Sequence, residues 1–268
     1  MLGAIYGDII GSYYEVHCTK DHDFPFMPES TFTDDTVMTA AVCRAILEDD
    51  SQIDFFRQKQ RAREYAIQYK RFYSYYPNAG YGQLFSRWAQ SESLLRQRSY
   101  GNGAAMRTVP IGWAYGTLKQ VLIQARASCL YTHFNSEAIK GAQAVAGAVF
   151  LAKTACSKEQ IRDFCEKQMR TSLSADIDEI RKEYSFDSRT KNSVPQAIIA
   201  FLCSEDYESA VRNAVSLGGD ADTMACIAGG ISEAYYRSIP QAISSFCNIR
   251  LDMTIKKTAA EFINQYCT

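Results

Sequence analysis

The chain has 268 residues, of which 47% are hydrophobic and 22% charged, with a formal net charge of -1. That length supports one large core, and so balanced a charge leaves no basic footprint for a phosphate backbone, which argues against a nucleic-acid partner. The nine cysteines are dispersed, with no C-x-x-C pair and no metal-ligand spacing. Cys43, Cys129, Cys165 and Cys226 fall within apolar helical patterns, so they read as reduced core thiols of a cytoplasmic protein.

Helical periodicity dominates from the start. Leu2, Ile5, Tyr6, Ile9, Ile10 and Tyr13 mark a first helix, whose lack of a basic n-region and interruption by Asp8 fit neither a signal peptide nor a membrane span. Gly3, Gly7 and Gly11 form a smooth stripe on it; each costs about 1 kcal/mol relative to Ala, so a closely packed neighbouring helix is expected. Asp8 and Glu15, seven residues apart, share another face. Residues 17–32, with Pro25 and Pro28, read as a long loop, poorly tied down and suited to a mobile lid. Thr33-Asp34-Asp35 then opens an apolar helix. Turn-rich stretches follow at Tyr76 to Gly82 and at Arg98 to Gly103, neither matching a phosphate-binding fingerprint.

In the second half, Leu118, Val121, Leu122, Ala125 and Cys129 repeat the helical spacing. Thr117 with Gln120 and Ser157 with Gln160 read as capping boxes, Ser136 precedes an Ala-rich helix, and Pro195 suits the first turn of another. Gly218-Gly219 leads into Asp220-Ala221-Asp222-Thr223, a second acidic cluster at a helix start. Convincing period-two runs, repeats and linkers are scarce or missing, so the expectation is an all-α, compact single-domain multi-helix bundle over residues 1–268, with ten to twelve helices at ordinary helix lengths.

The two acidic clusters admit two readings. Asp and Thr at helix starts ordinarily cap free N–H groups. If the fold brings both clusters together, four carboxylates and two hydroxyls meet, and such crowding makes sense only around cations. Hard oxygen donors suit magnesium or manganese.

The ordered set GDIIG-x-x-x-E (Gly7 to Glu15), TDDT (Thr33 to Thr36), GNGAAMR (Gly101 to Arg107), Thr132-His133, SVP-x-AI (Ser193 to Ile198) and LGGDADT (Leu217 to Thr223) resembles the ADP-ribosylglycohydrolase family, of the dinitrogenase-reductase-activating glycohydrolase type. The resemblance implies an all-helical hydrolase with two magnesium or manganese ions that cleaves the ribosyl C1″ bond of ADP-ribosylated acceptors and releases ADP-ribose. It implies Thr33, Asp34, Asp35, Asp220, Asp222 and Thr223 as metal ligands, with Asp34 and Asp35 also at the chemistry. Glu15 would be the carboxylate beside the attacking water. It further implies that Gly80, Gly82, Ser99, Tyr100, Gly101 and Asn102 contact the diphosphate and ribose, while His133 and Ile198 line the pocket. Asn135-Ser136, where many relatives carry a further His-Pro pair, and Thr190-Lys191-Asn192 before Ser193 set this chain's substrate-facing rim apart.

Two rivals remain at this level. An all-α, magnesium-dependent diphosphate enzyme would want a third carboxylate three residues after the Asp34-Asp35 pair, where Met38 stands. A module that binds ADP-ribose without cleaving it would not need Glu15. Expected acceptors are protein side chains, arginine before serine, or a small acceptor; no membrane partner is expected, and a monomer is the default.

Overall fold

The computed structural model describes residues 1–49 and 58–267. Within them the helical periodicity is realised as fourteen α-helices, more than the ten to twelve expected, because four of them have only six to eight residues. They are α1 (Leu2–Val16), α2 (Asp34–Leu47), α3 (Gln58–Tyr75), α4 (Gln83–Gln90), α5 (Val109–Ala114), α6 (Leu118–Cys129) and α7 (Ser136–Lys153). The series continues with α8 (Lys158–Met169), α9 (Ile177–Glu183), α10 (Thr190–Leu202), α11 (Tyr207–Ser216), α12 (Ala221–Tyr236), α13 (Gln241–Asn248) and α14 (Met253–Tyr266). Extended pairing among the described residues is limited to two isolated bridges, Arg98 with His133 and Gly101 with Arg189.

The centre of the bundle is α12. A helix that is apolar or small on all sides belongs in an interior, and every residue from Ala221 to Ser232 is buried, with α1, α7, α10 and α11 packed around it. The glycine stripe explains how α1 lies so close. A Cβ on Gly3, Gly7 or Gly11 would collide with the backbone carbonyls of Gly229, Ala225 and Ala221, respectively. Backbone therefore meets backbone along three turns, and Asp8 and Glu15 on α1 are carried to the N-terminal end of α12.

Several helix starts differ from the sequence reading. Asn135, not Ser136, caps α7 by accepting from the Ala138 N–H at 2.9 Å. Pro195 lies inside α10 rather than in its first turn, because Thr190 starts the helix earlier by donating from its N–H to the Tyr100 carbonyl (2.9 Å) and from its hydroxyl to the Gly101 carbonyl (2.8 Å). Ser157 and Gln160 form a complete capping box. Thr117 forms only half of one, since Gln120 takes the Thr117 hydroxyl rather than its N–H.

The loop over residues 17–32 corrects the expectation of a loosely held lid. Phe24 is buried in the core. The Tyr14 hydroxyl donates to the Pro25 carbonyl, Arg212 to the carbonyls of His22 and Phe24, and Arg250 to those of Pro28 and Ser30. Lys20 donates to the Tyr184 and Leu217 carbonyls, both at 2.5 Å. Two prolines and few periodic apolar residues hid these anchors, which come from arginines and a lysine distant in sequence or from the loop itself.

The α1–α12 contact is open to test. Gly7→Ala is expected to lower unfolding free energy by about 1–3 kcal/mol through overpacking. Gly116→Ala, where an added Cβ meets nothing within 4 Å, is expected to change it by less than about 0.5 kcal/mol. Urea denaturation of the two variants checks the contrast; equal stabilities would refute the close contact.

Candidate active site

Helix starts leave N–H groups that must find acceptors. At α2 the Thr33 side chain takes the Asp35 N–H (3.3 Å), and the rest of the capping comes from another helix. Asp8 of α1, fully buried, accepts from the N–H groups of Thr33 and Thr36 (both 3.0 Å) and from their hydroxyls (2.7 and 2.5 Å). Asp34 and Asp35 are thereby released from capping. At α12 the N-cap position is Asp220, yet its side chain makes no capping bond; its Oδ2 instead accepts from the Asn102 amide at 2.8 Å.

These ends converge on the floor of one pocket of about 380 Å³, lined among others by Glu15, Asp34, Asp35, Asp220, Asp222 and Thr223. The Thr223 hydroxyl donates to Asp35 Oδ2 at 3.0 Å, joining α12 to α2, and the Thr223 N–H donates to Asp222 Oδ1 at 2.8 Å. Asp35 Oδ1 is buried with no hydrogen-bond partner. Glu15, at the solvent-facing edge, and buried Asp220 and Asp222 offer oxygens within 4.8 Å of one another. Glu15 thus lies within reach of the acidic group, whereas the sequence reading set it apart, beside the water.

Electrostatics make the crowding expensive for a floor of bare carboxylates. Burial first, then repulsion from Asp222 and Asp8, pushes the Asp34 and Asp35 carboxyls well above the usual range. Burial and the neighbouring Asp220 do the same to Asp222, and Asp220 is raised chiefly by burial. Burial raises Asp8 to about 6 against the lowering effect of its four hydrogen bonds, and burial with Asp222 and Asp8 raises Glu15 to about 7. A buried orphan oxygen within an all-oxygen donor set fits a hard divalent cation, which would reverse the local charge balance.

The opposite wall is the turn from Ser99 to Gly103, held by neighbours on both sides. The Gln97 N–H donates to the Tyr131 carbonyl (2.9 Å), and the Phe134 N–H returns to the Gln97 carbonyl (2.8 Å); the Asn102 N–H donates to the Ser188 carbonyl (2.8 Å). The Asn102 amide bridges to Ser193 at 3.0 Å as well as to Asp220, tying this wall to the floor. Gly80, Gly82, Ser99, Gly101, Asn102 and His133 all line the pocket.

Three expected site residues do not line it. Ile198 is completely buried on the inward face of α10, within the apolar core. Tyr100 is 45% exposed, and its ring packs under the Arg189 guanidinium, whose carbon lies 5.3 Å from the ring centroid. Thr33 spends its hydroxyl proton on Asp8. Sequence reasoning assigned no role to Asp8, Arg107, Thr132, Gln97, Phe186 or Ser188. For the first two a signal was present, a lone charged residue inside an apolar stretch; for Phe186 and Ser188, in the loop before α10, there was none.

The fold is thus an all-helical bundle in which one pocket joins an acidic floor, with oxygen donors that fit a hard divalent cation, to a glycine-rich wall. The ADP-ribosylglycohydrolase family matches residues 1–265, so the chain belongs to the ADP-ribosylglycohydrolase family, a family of ADP-ribosyl hydrolases. It is 29% identical to an ADP-ribosylhydrolase ARH3 of Xenopus tropicalis, over 88% of this chain and 85% of that protein. It is 28% identical to the ADP-ribosylhydrolase ARH3 of Homo sapiens, over 92% and 87%. A solved structure described as an ADP-ribosylglycohydrolase-related protein complex superposes with a TM-score of 0.73 at 22% identity, over 98% of this chain and 95% of that one, and shows the shared fold. Among the described residues no helix is long and apolar enough to cross a membrane.

His133 offers a pH test. Burial, and secondarily the Arg107 guanidinium, holds its imidazole well below the ordinary histidine range. The unfolded chain therefore takes up a proton near pH 6.5 that the native state refuses. Stability from this group is present above about pH 6.5 and is lost as pH falls below it. Native His133 resonances are expected to stay flat from pH 8 to 6, and His133→Gln to show a shallower acid loss of stability in denaturant titrations. A native-state titration of His133 near pH 6.5 would contradict this.

Proposed function

We propose that this protein is a divalent-metal-dependent hydrolase that cleaves the ribosyl C1″ bond of ADP-ribosylated acceptors and releases ADP-ribose, as one catalytic domain over residues 1–268. The observation that carries the reading is the convergence of Glu15, Asp34, Asp35, Asp220 and Asp222 on one pocket floor facing a wall of glycine backbone and Asn102. That pocket volume suits a small ligand such as a nucleotide sugar.

Asp34, Asp35, Asp220 and Asp222, with the Thr223 hydroxyl, would hold two magnesium or manganese ions, and Glu15 lies close enough to share one. When bound, such ions neutralise the acids, polarise ribose hydroxyls and acidify water. The protein's own groups supply the rest. The backbone at Gly80, Gly82, Ser99 and Gly101, with Asn102 and His133, orients the diphosphate and ribose so that C1″ faces Glu15. Glu15, the carboxylate at the solvent-facing side of the floor, takes the proton of the attacking water as the C1″ bond to the acceptor breaks through an oxocarbenium-like state; the acceptor departs with the bonding electron pair and takes up a proton from solvent. The presence of Glu15 favours this over a module that binds ADP-ribose without cleaving it.

Among acceptors we place an arginine side chain first and a serine side chain second. A panel of arginine- and serine-linked ADP-ribosyl peptides, assayed with magnesium and then with a chelator, decides between them; turnover insensitive to chelation would refute metal dependence. The nine free thiols suit a reducing compartment, and we place the protein in the cytoplasm.

Asp35→Ala and Asp222→Ala are each expected to abolish turnover and to shrink the rise in melting temperature that magnesium gives the unmodified protein, since a ligand of the native state stabilises in proportion to its occupancy. Unchanged metal stoichiometry in both variants would overturn the ligand assignment.

Glu15→Gln keeps the side chain's size and removes its basicity. Turnover is expected to fall about a hundredfold to ten-thousandfold, with calorimetric affinity for ADP-ribose nearly unchanged, the pattern of an interaction used only in the transition state. Near-normal single-turnover release of ADP-ribose would exclude the general-base role, and joint collapse of affinity and turnover would make Glu15 a binding residue.

A further inference from the structure

Behind the glycine-rich wall lies a chain of three buried polar side chains, of which the chemistry above uses only His133. Arg107 is 1% exposed, with its guanidinium carbon 4.0 Å from the Tyr69 ring centroid. Its Nη2 donates to the Ser128 carbonyl at 3.1 Å and to the Thr132 hydroxyl at 2.7 Å. That hydroxyl in turn lies 2.8 Å from His133 Nδ1. Arg107 and Thr132 both reach the pocket lining, as does His133.

Proton counting fixes the direction of each bond. A guanidinium only donates, so Thr132 Oγ1 accepts from Arg107 and keeps one hydrogen of its own to place. His133 Nδ1 is the remaining partner of that hydroxyl among the described residues, and it takes the hydrogen as an acceptor. The opposite tautomer would aim two donors at Oγ1 and leave the hydroxyl hydrogen with no acceptor in a buried setting, at a cost comparable to a lost hydrogen bond. The single proton of a neutral imidazole then sits on Nε2. This nitrogen faces the glycine turn, 3.9 Å from where a Cβ of Gly101 would be and 3.6 Å from that of Gly103.

We propose that Arg107 and Thr132 form a relay that fixes His133 as its Nε2–H tautomer, so that the wall presents one neutral, permanently aimed hydrogen-bond donor to a phosphate or ribose oxygen of the bound ADP-ribose. The ligand half of this inference rests on the reading of the pocket as an ADP-ribose site. His133 touches the ligand; Arg107 and Thr132 are positioning residues that act through it. An uncharged donor of set direction recognises an oxygen without adding a cation to a pocket that already takes metal ions. It also cannot turn into an acceptor and so discriminates against a donor group of a wrong ligand.

The test begins with the unmodified protein. It has only three histidines, of which His17 is exposed and His22 half-buried while His133 alone is buried, so long-range proton–nitrogen NMR separates the His133 ring. The expected spectrum is that of an Nε2–H imidazole; an Nδ1–H pattern, or one averaged between tautomers, overturns the relay whatever the pocket binds. Thr132→Val removes the hydroxyl at nearly constant volume. It is expected to mix the tautomers and weaken calorimetric ADP-ribose binding by about tenfold, while magnesium affinity stays unchanged. Thr132→Ser restores both the spectrum and the affinity. Weaker binding in Thr132→Val with the tautomer unaltered would mean a merely structural role and overturn the proposal. An Nε2–H spectrum in a protein that binds no ADP-ribose would overturn the ligand half and the proposed function together, an outcome distinct from failure of the relay.

Discussion

The pocket floor depends on how closely α1 approaches α12. Three glycines remove the side chains that would hold the two helix backbones apart, and only at that separation do Asp8 and Glu15 reach the helix starts that carry the other acids. A wider spacing would fill with methyl groups and leave the carboxylates out of range of one another. The cost of glycine in a helix interior is offset by burial of α12 on every side. The packing contact and the chemistry thus share one cause.

Charge then sets a second constraint. The protein gathers five carboxylates at the pocket floor and places a sixth, Asp8, directly beneath. Asp8 is distinguished from the others by its partners: four hydrogen bonds from Thr33 and Thr36 satisfy it, whereas Asp35 keeps a buried oxygen with nothing to accept. One acid holds the first turn of α2 in place, and the acids on that turn are left free to meet a cation. Capping and, on the reading proposed above, ligation are thus divided between different acidic side chains.

Much of this was legible in the sequence. The all-α class followed from periodicity, the acidic clusters from their placement ahead of apolar runs, and the close helix contact from the spacing of Gly3, Gly7 and Gly11. What escaped were features fixed by tertiary partners. Asp8 reads as an interruption of an apolar helix until Thr33 and Thr36 are seen around it. The loop over residues 17–32 reads as loose because its anchors, such as Arg212 and Arg250, lie some two hundred residues away. Ile198 and Tyr100 stand in motif segments that do border the pocket, but the turn of α10 points the first into the core and Arg189 holds the second outside. Arg107 stands within the Gly101 to Arg107 motif, with nothing local to show that it would address Thr132.

The bond from Thr223 to Asp35 spans 188 residues of sequence, and the helix that carries it lies near the C-terminal end of the chain. Closing a loop that long costs more entropy, and is slower, than forming the local helices within it. During synthesis, the acids of α1 and α2 emerge long before α12 and wait without the backbone against which α1 must lie. Cations held as proposed above would close on a bundle whose core is already assembled around α12, a late latch on the fold rather than a guide to its early collapse.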